Sequence, residues 1–367
     1  MHLYIHVPFC ARRCSYCDFA IAVRRDVPSR RFVSAVLKEW RQWQGHRAWE
    51  ESKDVGTVYF GGGTPSRLDP GGIADLLAGI GRERQVAAGA EVTLEANPDD
   101  VTPAAVAAWG AAGVNRISLG VQSFDPSVLR WMHRTHTADQ VAPAVETIRA
   151  AGIEDVSLDL IFGLPASLGR DWERDLAQAF ALAPEHLSLY GLTVEEHTPL
   201  GRWADRGEVT PVDEERYAEE FLAAGRALAV HGFEHYEVSN AARPGRRARH
   251  NSAYWRRAPF IGLGPSAHSG LGRTRRWNLR DWTAYERASL AGRSVVGGAE
   301  ELSDEAVELE EVYLGLRTSD GLALDRLPPE TAAGWLDAGW AQTTPGRIRL
   351  TAEGWLRLDA LAAAATA

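Results

Sequence analysis

The chain has 367 residues, a formal net charge of −9 at pH 7, and a composition that is 45% hydrophobic and 24% charged. These proportions are those of an ordinary folded protein. The negative charge argues against a nucleic-acid partner, because a phosphate-binding surface is normally basic. No apolar run approaches the ~20 residues that a membrane-spanning helix requires, and no targeting segment is visible, so we expect a cytoplasmic protein.

Strand-like and helix-like segments alternate about six times over residues 1–240. Apolar runs predict strands at residues 3–7, 55–60, 91–96, 114–119, 156–161 and 187–192. Such alternation indicates a parallel sheet with helices outside it, and near-continuous apolar strands favour burial on both faces. Six units are fewer than a closed eight-fold barrel requires. We therefore predict an α/β fold built on an open, partial (β/α)6 barrel.

The remainder of the chain predicts two further parts. Residues 241–299 read as a segment that connects the barrel to the C-terminal region. Residues 300–367 combine helical patterns at 301–316 and 335–340 with a strand-like run at 347–351. This combination predicts a small, mainly helical domain with a β-wing, similar to a winged helix.

All three cysteines of the chain lie on one short loop, as Cys10, Cys14 and Cys17 in a CxxxCxxC pattern. Three thiolates on such a loop can ligate three irons of a [4Fe–4S] cluster and leave the fourth iron open to a small molecule. A disulfide with a spare thiol would suit a secreted protein, but no signal peptide is present. A structural zinc site is the other alternative, with His6 as the fourth ligand.

Polar residues follow successive predicted strands, where parallel α/β barrels carry their functional groups. Residues 61–64 follow the second strand, Glu95 ends the third, Gln122 lies just beyond the fourth, and Asp159 lies within the fifth. Taken singly, each could be a turn glycine or a satisfied buried polar group. Their succession on neighbouring strands, with the cysteine loop on the first, favours a shared site. Glycines would let the backbone approach a ligand closely.

The CxxxCxxC pattern is the signature of radical S-adenosylmethionine (SAM) enzymes, and the chain resembles that superfamily. There the open iron chelates the amino and carboxylate groups of SAM, and one electron cleaves SAM to methionine and a 5′-deoxyadenosyl radical that abstracts hydrogen from a substrate. The resemblance implies that eight residues surround SAM: Tyr4, Gly62, Gly63, Thr64, Glu95, Gln122, Arg134 and Asp159.

Several strings resemble one branch of the superfamily, which contains oxygen-independent coproporphyrinogen III oxidase and its relatives: YIHVPFCARRCSYCDF, FGGGTPS, LEANPDD, ISLGVQSF, DLIFGLP and EVSNAARPG. The oxidase carries a further cysteine, as CxxxCxxCxC, where this chain has Phe19. The string HNSAYW at residues 250–255 matches the HNxxYW signature of the HemW-type haem chaperones. The resemblance therefore implies a protein that binds haem and passes it to haem proteins such as respiratory enzymes.

His250 gives this match a physical basis. A neutral imidazole is a common axial ligand of haem iron, and the neighbouring Tyr254 and Trp255 could stack on a macrocycle. The arginines of the preceding RRAR string could pair with propionates. The alternative is a loop histidine with an aromatic packing anchor. His268, in the nearby string FIGLGPSAHS, is a second candidate ligand.

The resemblance implies haem and apo-haem proteins of the respiratory chain as partners, and it leaves room for peripheral membrane contact and for a homodimer. Other members of the superfamily share the same core. The alternatives are a coproporphyrinogen oxidase-like enzyme and a class C radical SAM methyltransferase or cyclopropanase. The HNxxYW string favours the haem chaperone over both.

Overall fold

The structure is a computed structural model that describes residues 1–49 and 54–366. Its strands, in chain order, are β1 (His2–Val7), β2 (Phe9–Cys10), β3 (Ala22–Val23), β4 (Val55–Gly62), β5 (Val86–Ala96), β6 (Arg116–Gln122), β7 (Asp155–Phe162), β8 (His186–Gly191), β9 (Glu234–Glu237), β10 (Asn240–Ala242), β11 (Phe260–Leu263), β12 (His268–Leu271), β13 (Thr274–Asn278), β14 (Val296–Glu301), β15 (Leu322–Ala323), β16 (Ala341–Thr344) and β17 (Arg347–Leu350).

The helices are α1 (Ser29–Gln42), α2 (Pro70–Glu83), α3 (Pro103–Ala112), α4 (Pro126–Trp131), α5 (Val141–Ala150), α6 (Trp172–Ala181), α7 (Pro199–Asp205), α8 (Glu214–Val230), α9 (Arg249–Trp255), α10 (Trp282–Leu290), α11 (Asp304–Arg317), α12 (Pro329–Asp337), α13 (Ala352–Trp355) and α14 (Leu358–Ala365). Capping side chains explain several of their starts. At α3, for example, the Thr102 hydroxyl accepts from the Ala105 N–H at 3.2 Å and Pro103 occupies the first turn.

One twelve-stranded sheet organises the molecule, in the order β14-β13-β12-β11-β1-β4-β5-β6-β7-β8-β10-β9. The six predicted strands are all present as β1 and β4 to β8, and each pairs in parallel with its neighbour. This confirms the predicted α/β class. Within the described residues the edge strands β14 and β9 do not pair with each other, as expected of a partial barrel.

The faces of the parallel strands differ from the prediction. We expected near-continuous apolar strands, but apolar and polar residues alternate over most of the strands, as in His186-Leu187-Ser188-Leu189-Tyr190 of β8. The end of β7 is an exception, because Leu160, Ile161 and Phe162 are all apolar. Successive side chains of a strand point to opposite faces. The apolar set packs in the core that the surrounding helices share, whereas the polar set points into the barrel. The barrel interior is therefore a buried polar space.

Residues 241–299 extend the barrel sheet. β11 pairs in parallel with β1, and β12, β13 and β14 follow it as antiparallel strands. The carboxylate of Glu39 on α1 holds this extension in place, because it accepts from the Gly264 N–H at 2.9 Å and from the Tyr285 hydroxyl at 2.6 Å. The predicted domain limits at 240 and 299 stay a prediction.

The C-terminal region contains the expected combination of helices and a small sheet. Helices α11 to α14 surround the strands β15, β17 and β16, which form an antiparallel sheet. Their apolar side chains, such as Leu316 and Trp355, belong to the same continuous core as the barrel. No helix in residues 1–49 and 54–366 is long and apolar enough to cross a membrane.

Candidate functional site

A cavity of about 490 Å³ opens at the carboxyl ends of the parallel strands. Strand ends in such sheets are where functional groups meet. The structure brings ten of the predicted residues together around this cavity: Cys10, Cys14, Cys17, Gly62, Gly63, Thr64, Glu95, Gln122, Arg134 and Asp159. We call it the cluster cavity. Tyr4, His250 and His268 are not among its lining residues.

The cysteine loop forms one wall of the cluster cavity. Cys10 ends β2, and its sulfur accepts from the Thr64 hydroxyl at 3.5 Å. Burial raises the pKa of the Cys10 thiol to about 11 and also raises that of Cys17. The backbone N–H of Ser15 donates to the Met132 carbonyl at 3.2 Å, which anchors the middle of the loop to the end of α4.

These cysteines fit an iron–sulfur cluster better than a zinc ion. All three are free thiols and line one cavity with open space beside them. Among the described residues, no three His, Cys, Asp or Glu side chains lie close enough to hold a single metal ion. A cubane differs because its irons occupy separate corners, so its three thiolates are spread more widely.

His6 is not placed as a fourth ligand for zinc. Its Nδ1 pairs with the Tyr4 hydroxyl at 3.1 Å, and its Nε2 pairs with the Ala20 carbonyl at 2.9 Å. Both ring nitrogens are therefore occupied, and the contact with Ala20 supports the segment that follows the cysteine loop. Tyr4, predicted beside SAM, lies in this supporting layer with its hydroxyl turned to His6.

The glycine loop follows β4 and needs its glycines for steric reasons. Gly62 has φ = +115°, and a Cβ there would lie 2.7 Å from the His6 ring. A Cβ on Gly63 would lie 2.8 Å from the Pro8 carbonyl carbon and 3.0 Å from the Cys10 sulfur. The loop can therefore pass between the cysteine loop and the barrel only without side chains.

Glu95 projects into the cluster cavity from the end of β5. Its Oε1 accepts from the Tyr59 hydroxyl at 2.8 Å, and its Oε2 accepts from the Gly62 N–H at 3.1 Å. Burial raises the pKa of Glu95 to about 7, despite these two hydrogen bonds. The carboxyl group is thus poised to change charge near neutral pH.

Asp159 projects into the same cavity from β7. The Ser118 hydroxyl lies within hydrogen-bond reach of both carboxylate oxygens, at 2.9 and 3.0 Å. Burial raises the pKa of Asp159 to about 6. Two carboxylates therefore face one cavity, where they can accept hydrogen bonds from ribose hydroxyls or stabilise a sulfonium charge.

Arg134 and Gln122 complete the wall between β6 and the cysteine loop. The Arg134 guanidinium donates to the Asn97 side-chain oxygen at 2.5 Å and to the Gly120 carbonyl at 2.9 Å, and it lies 3.6 Å from the Cys14 sulfur. Its buried Nε has no partner among the described residues. Gln122 adopts φ = +66° at a bulge in β6, a strained backbone that is common at functional sites.

His250 lies at the opposite end of the barrel interior, near the strand starts. It is 1% exposed; its Nδ1 pairs with the Thr57 hydroxyl at 2.7 Å and its Nε2 with the Tyr254 hydroxyl at 2.8 Å. Burial lowers the pKa of His250 to about 3, so its ring is neutral. In this conformation neither ring nitrogen is available to iron. Its role as a haem ligand stays a prediction.

Several residues of the site were not predicted from the sequence. Tyr59 supports Glu95, Asn97 holds Arg134, and Ser118 holds Asp159. Tyr190 at the end of β8 is 43% exposed and lines the cavity. Three of these residues could have been predicted from the alternation of polar and apolar residues along the strands. This alternation assigns Tyr59, Ser118 and Tyr190 to the interior face of the barrel.

Comparisons with known proteins agree with this geometry. The chain matches the family model of the radical SAM superfamily over residues 4–179. It is 37% identical over 365 residues to the haem chaperone HemW of Mycobacterium tuberculosis, an alignment that covers 98% of this chain and 93% of the relative. The haem chaperone HemW of Bacillus subtilis is 31% identical over 366 residues, with 96% of each chain covered.

The chain belongs to the HemW family of the radical SAM superfamily. The solved coproporphyrinogen III oxidase HemN of Escherichia coli, a radical SAM enzyme, has the same fold, with a TM-score of 0.82. That match covers 99% of this chain and 89% of HemN at 21% sequence identity. Membership of the HemW family agrees with the HNxxYW string and with Phe19 in place of a fourth cysteine.

Proposed function

We propose that this protein is a haem chaperone. It holds a [4Fe–4S] cluster, binds SAM beside the cluster, binds haem, and passes the haem to apo-haem proteins such as respiratory enzymes. Its thiols must stay reduced to hold a cluster, which favours a cytoplasmic location.

The similarity to HemW proteins is the observation that carries this proposal. Identity of 31–37% extends over 96–98% of the chain, so it includes the barrel, the HNxxYW helix and the C-terminal region. Similarity limited to the radical SAM domain would not indicate which molecule the protein carries. The relatives that share the whole chain are named haem chaperones.

The cluster cavity supplies residues suited to the two cofactors. Cys10, Cys14 and Cys17 would hold the cluster, which supplies one-electron chemistry when it is bound. Glu95 and Asp159 are placed to accept hydrogen bonds from SAM. The side-chain amide of Gln122 lines the cavity and makes no hydrogen bond within the described protein, so it is free to contact SAM as well.

The presence of Phe19 argues against coproporphyrinogen oxidase activity. It occupies the position of the oxidase's further cysteine, and its side chain is 64% exposed. The common fold with HemN gives no support for a shared reaction, because sequence identity is only 21%. An anaerobic assay with coproporphyrinogen is expected to yield no product above the cluster-free control.

The decisive experiment measures directed haem transfer. Cluster-loaded protein with one bound haem is mixed anaerobically with membranes of haem-starved cells, which contain apo-forms of respiratory haem enzymes. Apo-myoglobin in a parallel reaction captures any haem that dissociates spontaneously. A chaperone is expected to deliver haem to the membranes faster than apo-myoglobin captures it.

Equal rates in the two reactions would mean that haem only dissociates, and this would contradict the proposal. Absence of saturable one-to-one haem binding, followed by visible absorption, would contradict it at an earlier step. Quantitative product from coproporphyrinogen, or methyl transfer to an aromatic substrate, would instead support the enzyme alternative.

A further inference from the structure

A second cavity lies beside the cluster cavity, against the strands β1, β11 and β12. Its volume is about 400 Å³, and we call it the side cleft. It is lined by Tyr4, His6, Asp18, Phe19, Ala20, Tyr254, Phe260, Ser266, His268 and Arg280. Four of these residues belong to the first strand or to the cysteine loop, namely Tyr4, His6, Asp18 and Phe19. The others lie outside the cysteine and SAM sites described above.

The register of the sheet explains why this cleft exists. β11 pairs with β1 so that Phe260 lies beside His2 and Gly262 beside Tyr4. Paired residues of parallel strands point to the same face, so the interior face of the barrel continues from β1 onto β11. Gly262 lets the backbone of His268 approach β11 closely, because a Cβ on it would lie 2.1 Å from the His268 carbonyl oxygen.

The side cleft and the cluster cavity share a wall. Asp18 and Phe19, directly after the last cysteine, line both cavities. A ligand in the side cleft would therefore lie one layer of residues away from the cluster. This position suits a molecule whose binding or release depends on the state of the cluster and SAM.

His268 is the histidine of the cleft that can still bind a metal. It is exposed at the start of β12, and neither ring nitrogen has a hydrogen-bond partner in the described parts of the chain. His6 also lines the cleft, but both of its ring nitrogens are occupied. Stacking on Trp277, with ring centroids 5.9 Å apart, holds the His268 ring without using either nitrogen.

Two further side chains match the chemistry of haem. Arg280 is exposed and has no carboxylate partner among the described residues, so it can pair with a propionate. Phe19 presents an exposed ring at the opposite side of the cleft and can pack on the macrocycle.

We propose that the side cleft is the haem site of this protein, with His268 as an axial iron ligand, Arg280 as a propionate partner and Phe19 against the macrocycle. This inference rests on the proposed function and names the site of its cargo. His268 and Arg280 are exposed, so a haem bound between them would remain accessible to a receiving protein.

The HNxxYW helix contributes to this site through its tyrosine. Tyr254 lines the cleft, packs edge-on against Phe260 with ring centroids 4.6 Å apart, and shares a hydrogen bond with His250 Nε2 at 2.8 Å. His250 is then a positioning residue that holds Tyr254 in the wall of the cleft. The HNxxYW motif can therefore support haem binding while its histidine stays buried.

The test is an anaerobic haem titration of cluster-loaded protein, followed by visible absorption, for the wild type and for His268→Gly. We expect the affinity of His268→Gly to fall by ~10-fold or more, since even residues that only support a metal ligand have effects of this size. Added imidazole should restore the wild-type spectrum, because it can occupy the space that the missing side chain leaves.

Three variants locate the ligand. His250→Gly should weaken haem binding through Tyr254 but show no rescue by imidazole. His133→Ala removes a half-buried histidine that lines the cluster cavity and should leave haem affinity unchanged. Arg280→Gln should weaken binding by a few-fold, in proportion to an exposed ion pair.

The outcomes separate the two proposals. Normal haem binding by His268→Gly, or imidazole rescue confined to His250→Gly, would overturn the side cleft and leave the chaperone function standing. Loss of haem binding only in His133→Ala would move the site to the cluster cavity. No saturable haem binding by the wild type would overturn both. Cluster content and far-ultraviolet circular dichroism establish that each variant is folded and loaded.

Discussion

The imidazole ring of His250 stacks on the phenol ring of Tyr59, with centroids 5.1 Å apart and an interplanar angle of 26°. The hydroxyl of Tyr59 in turn donates to Glu95 at 2.8 Å. The signature helix α9 at one end of the barrel is thus connected to the cluster cavity at the other end by two contacts. Tyr59 makes both of these contacts, one with His250 and one with Glu95.

Replacement of this residue tests its support of Glu95. Tyr59→Phe keeps the stacked ring but removes the hydroxyl that donates to the carboxylate. We expect SAM affinity to fall by ~10-fold, the size expected for a lost hydrogen bond to a charged group. Equilibrium dialysis of cluster-loaded protein measures this, with Tyr313→Phe on α11 as the remote control. Unchanged affinity in Tyr59→Phe would mean that Glu95 does not contact SAM.

SAM binding should depend on pH through the same carboxyl group. Glu95 has a pKa of about 7, raised by burial, so its ionised form is lost as the pH falls through 7. We expect affinity to weaken over that range, and we expect Glu95→Gln to lose the step near pH 7 and keep only the step near pH 6 that Asp159 contributes. In Tyr59→Phe the step should begin at higher pH, because the lost hydrogen bond had lowered the pKa. Affinities measured between pH 5.5 and 8.5 on the three proteins are compared; identical profiles would exclude Glu95 as the titrating group.

Each cysteine should be essential for the cluster and dispensable for the fold. Cys10→Ala, Cys14→Ala and Cys17→Ala each remove one of three sulfur ligands, so iron and sulfide content after anaerobic reconstitution should fall to background. Far-ultraviolet circular dichroism should be unchanged, because the three cysteines lie outside the twelve-stranded sheet. A full cluster in any single variant would contradict the assignment.

Because the backbone at Gln122 is strained, replacement by glycine should change SAM affinity without a large change in the free energy of unfolding. Gln122→Gly relieves the positive φ, so the free energy of unfolding should stay within ~1 kcal/mol of the wild type. SAM affinity should fall, because the side-chain amide is lost. Ala183→Gly is the matched control: Ala183 has φ = +47° on the exposed surface, and only stability should change there. Chemical unfolding and SAM titration of both variants measure the two effects.

A buried ion group joins the loop before α6 to the helices α6 and α8. Arg170 contacts Glu220 at 2.8 Å and Asp175 at 3.7 Å, and Asp175 also accepts from the Phe124 N–H at 2.8 Å. Arg170→Ala leaves the buried Asp175 without a cationic partner and leaves Glu220 with only Arg216, at 3.3 Å. We therefore expect the free energy of unfolding to fall by ~3–5 kcal/mol.

The exposed pair of Arg206 and Glu208 provides the comparison for this prediction. Arg206→Ala should have no measurable effect, because solvent screens the pair. Urea unfolding of the two variants measures both changes. Equal effects would mean that burial does not determine the strength of the Arg170 contacts.

The sequence predicted most of the fold and most of the cluster cavity. Apolar runs located six strands, and residues at their carboxyl ends had to meet because parallel strands end at one edge. Cys10 and Asp159 are 149 positions apart, yet this rule alone places them together, and both line the cavity. The alternation that makes the barrel interior polar was equally present in the sequence, but our reading of continuous apolar strands missed it.

The sequence could not predict the direction of individual side chains. Tyr4 precedes the cysteine loop on the same strand as His6, and both point inward, but the hydroxyl of Tyr4 turns to His6 and away from the cluster cavity. His250 and His268 are both plausible ligands by residue type. Their environments differ because α9 packs its first turn into the barrel while β12 leaves its first residue at the surface.

The sequence by itself determined the chemistry, because three thiols at fixed spacing on one loop can hold a cluster wherever that loop lies. It also determined the fold class, because the period of apolar residues decides which segments become strands or helices. Tertiary structure decided which histidine is free. Whether a ring nitrogen is occupied depends on partners from distant segments, such as Thr57 for His250, 193 positions apart. Such contacts exist only after the sheet has brought those segments together.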